Sequence, residues 1–324
     1  MTGKPFEVKG EQMFGGSIPA LVTPFRGGAF DEPLFREFVD WQIEEGSSAL
    51  VPCGTTGESA TMSIDEHNHV VKVCVEQAGG RVPVIAGCGS NDTKVALAHM
   101  HAAEAAGADA ALVVLPYYNR PNQDGLLQHY RYLAENSSLP IIVYNVPART
   151  VTDILPDTLG ELSKLATVIG IKDASGKVER VSAQRSSCGP DFCQLSGNDD
   201  MALGFMASGG RGCISVTANV APRLCAEFQR ACLEGRWDEA LAYQDRLFPL
   251  HSALFTDASP GPIKYALSRV YPNFAAELRM PMTWPSEASR KAVDAALAHA
   301  GIAGHDRELR GTEDLRNNSR PEAG

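Results

Sequence analysis

Short apolar or β-branched runs recur along the chain, each followed by a longer stretch whose apolar positions return at helical spacing. Eight such units can be counted. The predicted strands cover residues 17–22, 48–52, 82–87, 109–115, 140–146, 167–172, 192–197 and 212–217. Most lack polar alternation, which is the pattern of parallel strands covered on both faces. Amphipathic segments between them include 33–45, 64–78, 93–106, 123–136 and 178–187. Ser63 followed by Glu66 fits a capping box, Pro33 and Pro222 suit a first helical turn, and Gly46, Gly79 and Gly107 stand where helices should stop. Eight consecutive units in about 220 residues predict an α/β fold, a (β/α)8 TIM barrel over residues 14–222, rather than an open doubly wound sheet.

Beyond the eighth unit, residues 223–303 read as a C-terminal helical appendage, with Trp237, Tyr243, Leu247, Leu250, Leu254 and Phe255 supplying apolar surface. Residues 304–324 are polar, with too little apolar surface to offset ordering entropy, and are expected to be disordered. Residues 1–13 are expected to form a flexible extension. No repeat beyond the strand–helix rhythm and no interdomain linker is visible.

Composition narrows the function classes. With 39 acidic and 29 basic side chains the net charge is −10, which disfavours nucleic acid or an anionic membrane as the main partner. No apolar run reaches the roughly 20 residues of a bilayer span, and residues 1–10 have no apolar leader core, so a soluble cytoplasmic protein is expected. The eight cysteines show no CxxC pair and are expected to be buried free thiols. His67/His69 and His99/His101 resemble ligand pairs, but i,i+2 spacing on a helix points the rings to different faces. They are read as ordinary helix-surface histidines, and no metal is expected.

A barrel places its chemistry at the C-terminal ends of its strands. Lys172 is the most informative residue there, because it alone of nine lysines ends an apolar strand; the other eight read as surface charges. At a reference pKa of about 10.4 only about one amine in 2,500 is neutral at pH 7, and a pKa lower by ~2–3 raises that fraction 100-fold or more. Burial on a barrel strand favours the neutral form, which attacks carbonyls. The functional reading is a Schiff-base lysine; the alternative is a salt bridge to Asp173 or Glu58.

The turn Gly54-Thr55-Thr56-Gly57 offers hydroxyls and backbone N–H groups suited to a carboxylate, although a plain loop is equally compatible with GxxG. Arg149 can grip a second carboxylate through its planar fork, or be structural. Tyr117, Tyr118 and Tyr144, three of eight tyrosines, all fall at strand ends, as packing aromatics or as hydroxyls that relay protons. Gly87-Cys88-Gly89-Ser90 lacks the third glycine of a dinucleotide fingerprint, and the segment before Lys177 fails the phosphate-loop spacing. No cofactor is expected.

GTTGES at 54–59, LPYYNRP at 115–121, YNVPART at 144–150, IGIKDASG at 169–176, LSGND at 195–199 and GCISVTANV at 212–220 occur in order along one chain. With these motifs, from about residue 14 to 302, the chain resembles the dihydrodipicolinate synthase family, class I aldolase-type lyases of the N-acetylneuraminate lyase superfamily. The resemblance implies that Lys172 forms an imine with pyruvate and that Thr55 and Thr56 hold the pyruvate carboxylate. It implies that Tyr144 is the general acid/base, linked through Thr55 to Tyr118 of a neighbouring subunit. Arg149 would orient the carboxylate of aspartate β-semialdehyde, while Gly197 and Ile214 would shape the pyruvate pocket. The implied product is 4-hydroxy-tetrahydrodipicolinate, in lysine and diaminopimelate synthesis, and the implied assembly is a homotetramer of paired dimers.

Sialic acid lyases of the superfamily typically carry serine where Thr55 stands and lack the arginine matched by Arg149, so both residues favour the synthase. Other pyruvate aldolases, acting on sugar acids or aromatic aldehydes, are the alternative within the superfamily, against which Arg149 and the tyrosine pair discriminate. A catalytically silent keto-acid-binding barrel is the alternative from another class. Two departures from the family pattern stand out. Ser259-Pro260-Gly261-Pro262 replaces the usual Asn-Pro-Ile-Pro, a change expected to alter loop packing near the barrel mouth. In lysine-inhibited members the effector binds at positions matching Ala60, Ile64, His67, Asn91, Val95 and Tyr117; here Ile64 and Val95 replace a histidine and a glutamate, which implies weak or absent feedback by lysine.

Overall fold

The structure, a computed structural model, describes residues 14–271 and 273–302. The predicted terminal segments 1–13 and 304–324 lie outside the described residues. β1 (Gly16–Pro19) is followed by a small antiparallel ribbon of β2 (Phe25–Arg26) and β3 (Ala29–Phe30). Next come β4 (Ile85–Gly87), β5 (Ala110–Val114), β6 (Ile141–Asn145), β7 (Val168–Asp173), β8 (Cys193–Ser196) and β9 (Gly212–Ser215). The parallel sheet runs β1-β9-β8-β7-β6-β5-β4. Residues 50 and 51 close it into a ring, because Leu50 bridges Val84 and Val51 bridges Ala20. The result is the predicted (β/α)8 TIM barrel.

The second strand, expected over 48–52, is reduced to this pair of bridges. Pro19, Pro52 and Pro83 line the two seams and lack the N–H that a continuous ladder needs. Backbone bonds still cross both seams, including Leu21 N to Val51 O at 2.9 Å and Ile85 N to Leu50 O at 2.8 Å. The β2–β3 ribbon was not foreseen, although Gly27-Gly28 between Phe25 and Phe30 signals it. Both glycines have positive φ, +59° and +79°, as a tight hairpin turn requires.

Around the sheet lie α1 (Glu32–Glu44), α2 (Ile64–Ala78), α3 (Thr93–Ala106), α4 (Gln123–Asn136), α5 (Pro147–Thr150), α6 (Pro156–Leu162), α7 (Arg180–Cys188), α8 (Ala202–Ala207) and α9 (Pro222–Leu233). Ser63 Oγ accepts from Glu66 N at 3.2 Å, but the Glu66 carboxylate is taken by Arg279, so only half of the expected capping box forms. α9 packs against β1 and against α10 (Trp237–Ala253), which leads into α11 (Gly261–Val270) and α12 (Glu287–His299). In this region Leu247, Leu250 and Leu254 are buried, whereas Trp237 and Phe255 remain exposed. Gly261 lies under the loop after α11, where a Cβ would meet Thr283 O at 3.3 Å.

Strand alternation divides the apolar residues into two cores. Ile18, Val51, Ile85, Leu112, Ile142, Leu195 and Ile214 fill the barrel interior. Ile141, Val143 and Ile171 instead join the layer under the helices. The same alternation turns Tyr144 inward with Ile142, and Asn145 and Asp173 toward the helices. No helix among the described residues is long and apolar enough to cross a membrane. All eight cysteines are unpaired, and all but Cys188 are buried.

Candidate active site

Tyr144 and Lys172 are register partners on β6 and β7, at the C-terminal ends of the strands. Lys172 is 6% exposed and its Nζ lies 4.2 Å from the centroid of the Tyr144 ring. Neither carboxylate weighed as its partner is available. Asp173 accepts from Arg180 Nε at 3.0 Å, Gln184 Nε2 at 2.5 Å and Ser175 N at 2.8 Å. Glu58 is 2.5 Å from Lys264. The amine of Lys172 is therefore held among buried neighbours with no ion pair among the described residues.

The chain leaves room for that amine by omitting a side chain. A Cβ at Gly197 would lie 2.6 Å from Ala174 Cβ and 3.1 Å from Lys172 Cε, so only glycine fits beside the lysine. Ile214, on β9 opposite Ile18, is fully buried in the barrel interior.

The GTTG segment forms two successive turns, with Gly57 N bonded to Gly54 O and Glu58 N to Thr55 O, both at 3.1 Å. Thr23 Oγ1 donates to Gly57 O at 2.8 Å from the loop after β1. Thr56 is buried and Thr55 exposed. No hydrogen bond joins Tyr144, Thr55 and Tyr118 among the described residues. Tyr118 instead projects from the loop after β5, 91% exposed, with φ of +71°. Tyr117 beside it is 37% exposed.

Arg149 lies in the last turn of α5, exposed and with no side-chain partner among the described residues. Behind it, Asn145 Nδ2 donates to Asp153 Oδ1 at 2.9 Å and Arg180 pairs with Asp153 at 3.0 Å. Arg180 thus joins the strand ends that carry Tyr144 and Lys172 to the segment that follows Arg149. The sequence reading missed this network. Its signal is a polar residue directly after each reactive candidate, Asn145 after Tyr144 and Asp173 after Lys172.

Two readings need correction. Lys264 is not a surface charge: it has no exposed area, and burial pushes its amine down to about 8 despite the pull of Glu58. A single sequence shows which helix carries a lysine but not which face meets a carboxylate 206 positions earlier. His67 and His99 are not surface residues either. Their rings stack inside the α2–α3 interface with centroids 3.9 Å apart, while His69 and His101 face outward, as i,i+2 spacing demands. No cluster of three or more metal-ligating side chains occurs among the described residues.

Of the positions implied for a lysine effector, Ala60 and Ile64 are exposed, Asn91 and Val95 are half-buried and His67 is buried. Asn91 O accepts from Asn119 Nδ2 at 2.8 Å, which ties it to the loop of Tyr117 and Tyr118.

The model of the dihydrodipicolinate synthetase family matches residues 13–300. A 4-hydroxy-tetrahydrodipicolinate synthase of Rhizorhabdus wittichii is 82% identical over 291 residues, which is 90% of this chain and 100% of that protein. The crystal structure of dihydrodipicolinate synthase from Aquifex aeolicus matches with a TM-score of 0.88 at 37% identity, covering 90% of this chain and 100% of that one. A chloride-inhibited dihydrodipicolinate synthase from Acinetobacter baumannii, complexed with pyruvate, matches with a TM-score of 0.86 at 40% identity, covering 89% and 99%.

Proposed function

We infer the reaction from one premise: this chain belongs to the dihydrodipicolinate synthetase family. It is a lyase of the class I aldolase type that condenses pyruvate with aspartate β-semialdehyde to give 4-hydroxy-tetrahydrodipicolinate, in the synthesis of diaminopimelate and lysine. The observation that carries the reading is Lys172 Nζ, buried at the end of its strand, against Tyr144 and unclaimed by any carboxylate among the described residues.

The amine of Lys172 attacks C2 of pyruvate and water leaves, giving an imine. The imine draws electrons from the methyl group, whose proton passes to Tyr144 as Tyr144 hands its own on along the hydroxyl relay through Thr55. The resulting enamine forms a C–C bond to the aldehyde carbon, and the alkoxide takes a proton back. The substrate's own amine then attacks the imine carbon, closing the ring and releasing Lys172. Thr55 and Thr56 receive the pyruvate carboxylate, Gly197 and Ile214 shape the pyruvate pocket, and Arg149, exposed and without a side-chain partner among the described residues, receives the carboxylate of the aldehyde.

Tyr118 supports assembly as a homotetramer of paired dimers. A fully extruded aromatic on a left-handed residue costs about 1–3 kcal/mol of backbone strain, which contact with another subunit would offset. In that assembly the hydroxyl relay from Tyr144 through Thr55 ends on Tyr118 of the partner subunit. A cytoplasmic setting, where thiols stay reduced, fits the eight unpaired cysteines.

Borohydride reduction in the presence of pyruvate tests the reading. A stable adduct mapped to Lys172, absent from Lys172→Ala, is expected; no adduct would leave a silent binding barrel. Turnover with aspartate semialdehyde, compared with sialic acid cleavage and with other aldehydes, should be the activity most harmed by Arg149→Ala.

A further inference from the structure

Lys264 is the most deeply buried charged residue among those described, and it reaches from α11 to the turn that carries Thr55 and Thr56. Its Nζ is 2.5 Å from Glu58 Oε1, donates to Glu277 O at 2.8 Å and lies 4.4 Å from the centroid of the Phe25 ring. Glu58 Oε2 accepts from the backbone N of Arg279 at 3.0 Å. The Arg279 side chain binds Thr61 O at 3.3 Å, Gly28 O at 2.7 Å and the Glu66 carboxylate at 2.5 and 2.6 Å. Lys264, Glu277 and Arg279 therefore clasp the ribbon after the first strand and the turn after the second.

Glu58 closes that turn with φ of +58°, a conformation that glycine adopts freely and a glutamate does not. Such strain persists only where the surroundings over-determine it. Here a buried ammonium and a partly buried backbone amide both bind the carboxylate at this point. A buried ion pair adds little net stability compared with apolar residues of the same volume, so stability alone is a poor account of its presence.

We propose that Glu58 and Lys264 are positioning residues, whose ion pair holds the 54–58 turn in the shape that receives the pyruvate carboxylate. The inference rests on the reading of Thr55 and Thr56 given above. It makes the helices beyond the barrel part of substrate binding, although none of their residues touches the substrate.

Steady-state kinetics and borohydride trapping, each over a range of pyruvate concentrations, are compared for the full chain and for Glu58→Gln, Lys264→Met and Arg279→Gln. The KM for pyruvate should rise about tenfold in Glu58→Gln and Lys264→Met, the loss expected of a hydrogen-bonded charge. The KM for the aldehyde should stay within about twofold, because uniform binding of only one substrate is removed. A lower melting temperature and lower kcat with both KM values unchanged would mark a merely structural pair and overturn the proposal. If those two variants do not fold, Arg279→Gln decides, since it leaves the ion pair itself intact: a threefold or larger rise in the pyruvate KM, about half the energy of the tenfold effect, supports the clasp, and an unchanged value overturns it. An unmodified chain that traps no pyruvate would instead sink the reading of the site.

Discussion

Lys172 Nζ and the Tyr144 ring face each other across a single register step of the barrel, 4.2 Å from Nζ to the ring centroid, with neither side chain committed to a carboxylate among the described residues. In the proposed reaction the Lys172 imine would form beside this ring. Tyr144→Phe keeps the packing and removes the proton carrier, so kcat should fall by about 10²–10⁴ while the borohydride adduct on Lys172 still forms. Loss of the adduct in that variant would show that Tyr144 acts in imine formation itself.

Gly197 sets the room available to the Lys172 side chain. In Gly197→Ala the new methyl would sit 2.6 Å from Ala174 Cβ, forcing the 174 and 197 segments apart, and 3.1 Å from Lys172 Cε, displacing the lysine by a few tenths of an ångström. Activity should drop by about tenfold or more, as overpacking costs about 1–3 kcal/mol, with stability lowered by a similar amount. Initial rates and urea denaturation on the same preparation check both. Full activity would mean that the 195–199 loop shifts without consequence.

Feedback by lysine should be weak or absent. Ile64 is half-exposed and Val95 half-buried, so neither position offers the charge that a ligand's amines need. Loss of one carboxylate contact costs ~1.5–3 kcal/mol, tenfold or more in affinity. Rates measured against added lysine decide, and half-inhibition below millimolar lysine would refute the expectation.

Acid should unfold the protein through its buried histidines. Burial pushes His99 and His129 down to about 4, and the neighbouring His67 adds to the effect at His99. In the unfolded chain both titrate near 6.5, so between about pH 6.5 and 4 the unfolded state binds more protons. Stability is then fully present above about 6.5 and is lost at about 1.4 kcal/mol per pH unit for each histidine as pH falls. Urea midpoints across this range should show that slope, and His129→Gln should flatten it. A variant with an unchanged slope would assign acid sensitivity elsewhere.

The order of strands and helices was legible in the sequence because eight apolar runs in series admit few arrangements, and parallel strands covered on both faces announce themselves by lacking alternation. Lys172 was legible for the same reason, as a charge at the end of an apolar strand. The glycine and proline chemistry of the helix ends also lies in local sequence, and Gly46, Gly79 and Gly107 all take the left-handed conformations their positions imply.

Tertiary structure alone decided which charges meet. Nothing local to Lys264 distinguishes it from a surface lysine, because its burial depends on Glu58 and Phe25, more than 200 residues away in the chain. The division of each histidine pair into one buried and one exposed ring depends on the neighbouring helix, and the freedom of Lys172 from Asp173 depends on Arg180 and Gln184 reaching that carboxylate first. Periodicity is a property of neighbours in sequence and survives in a single chain read from end to end. Pairing of charges is a property of neighbours in space, fixed only when the barrel closes.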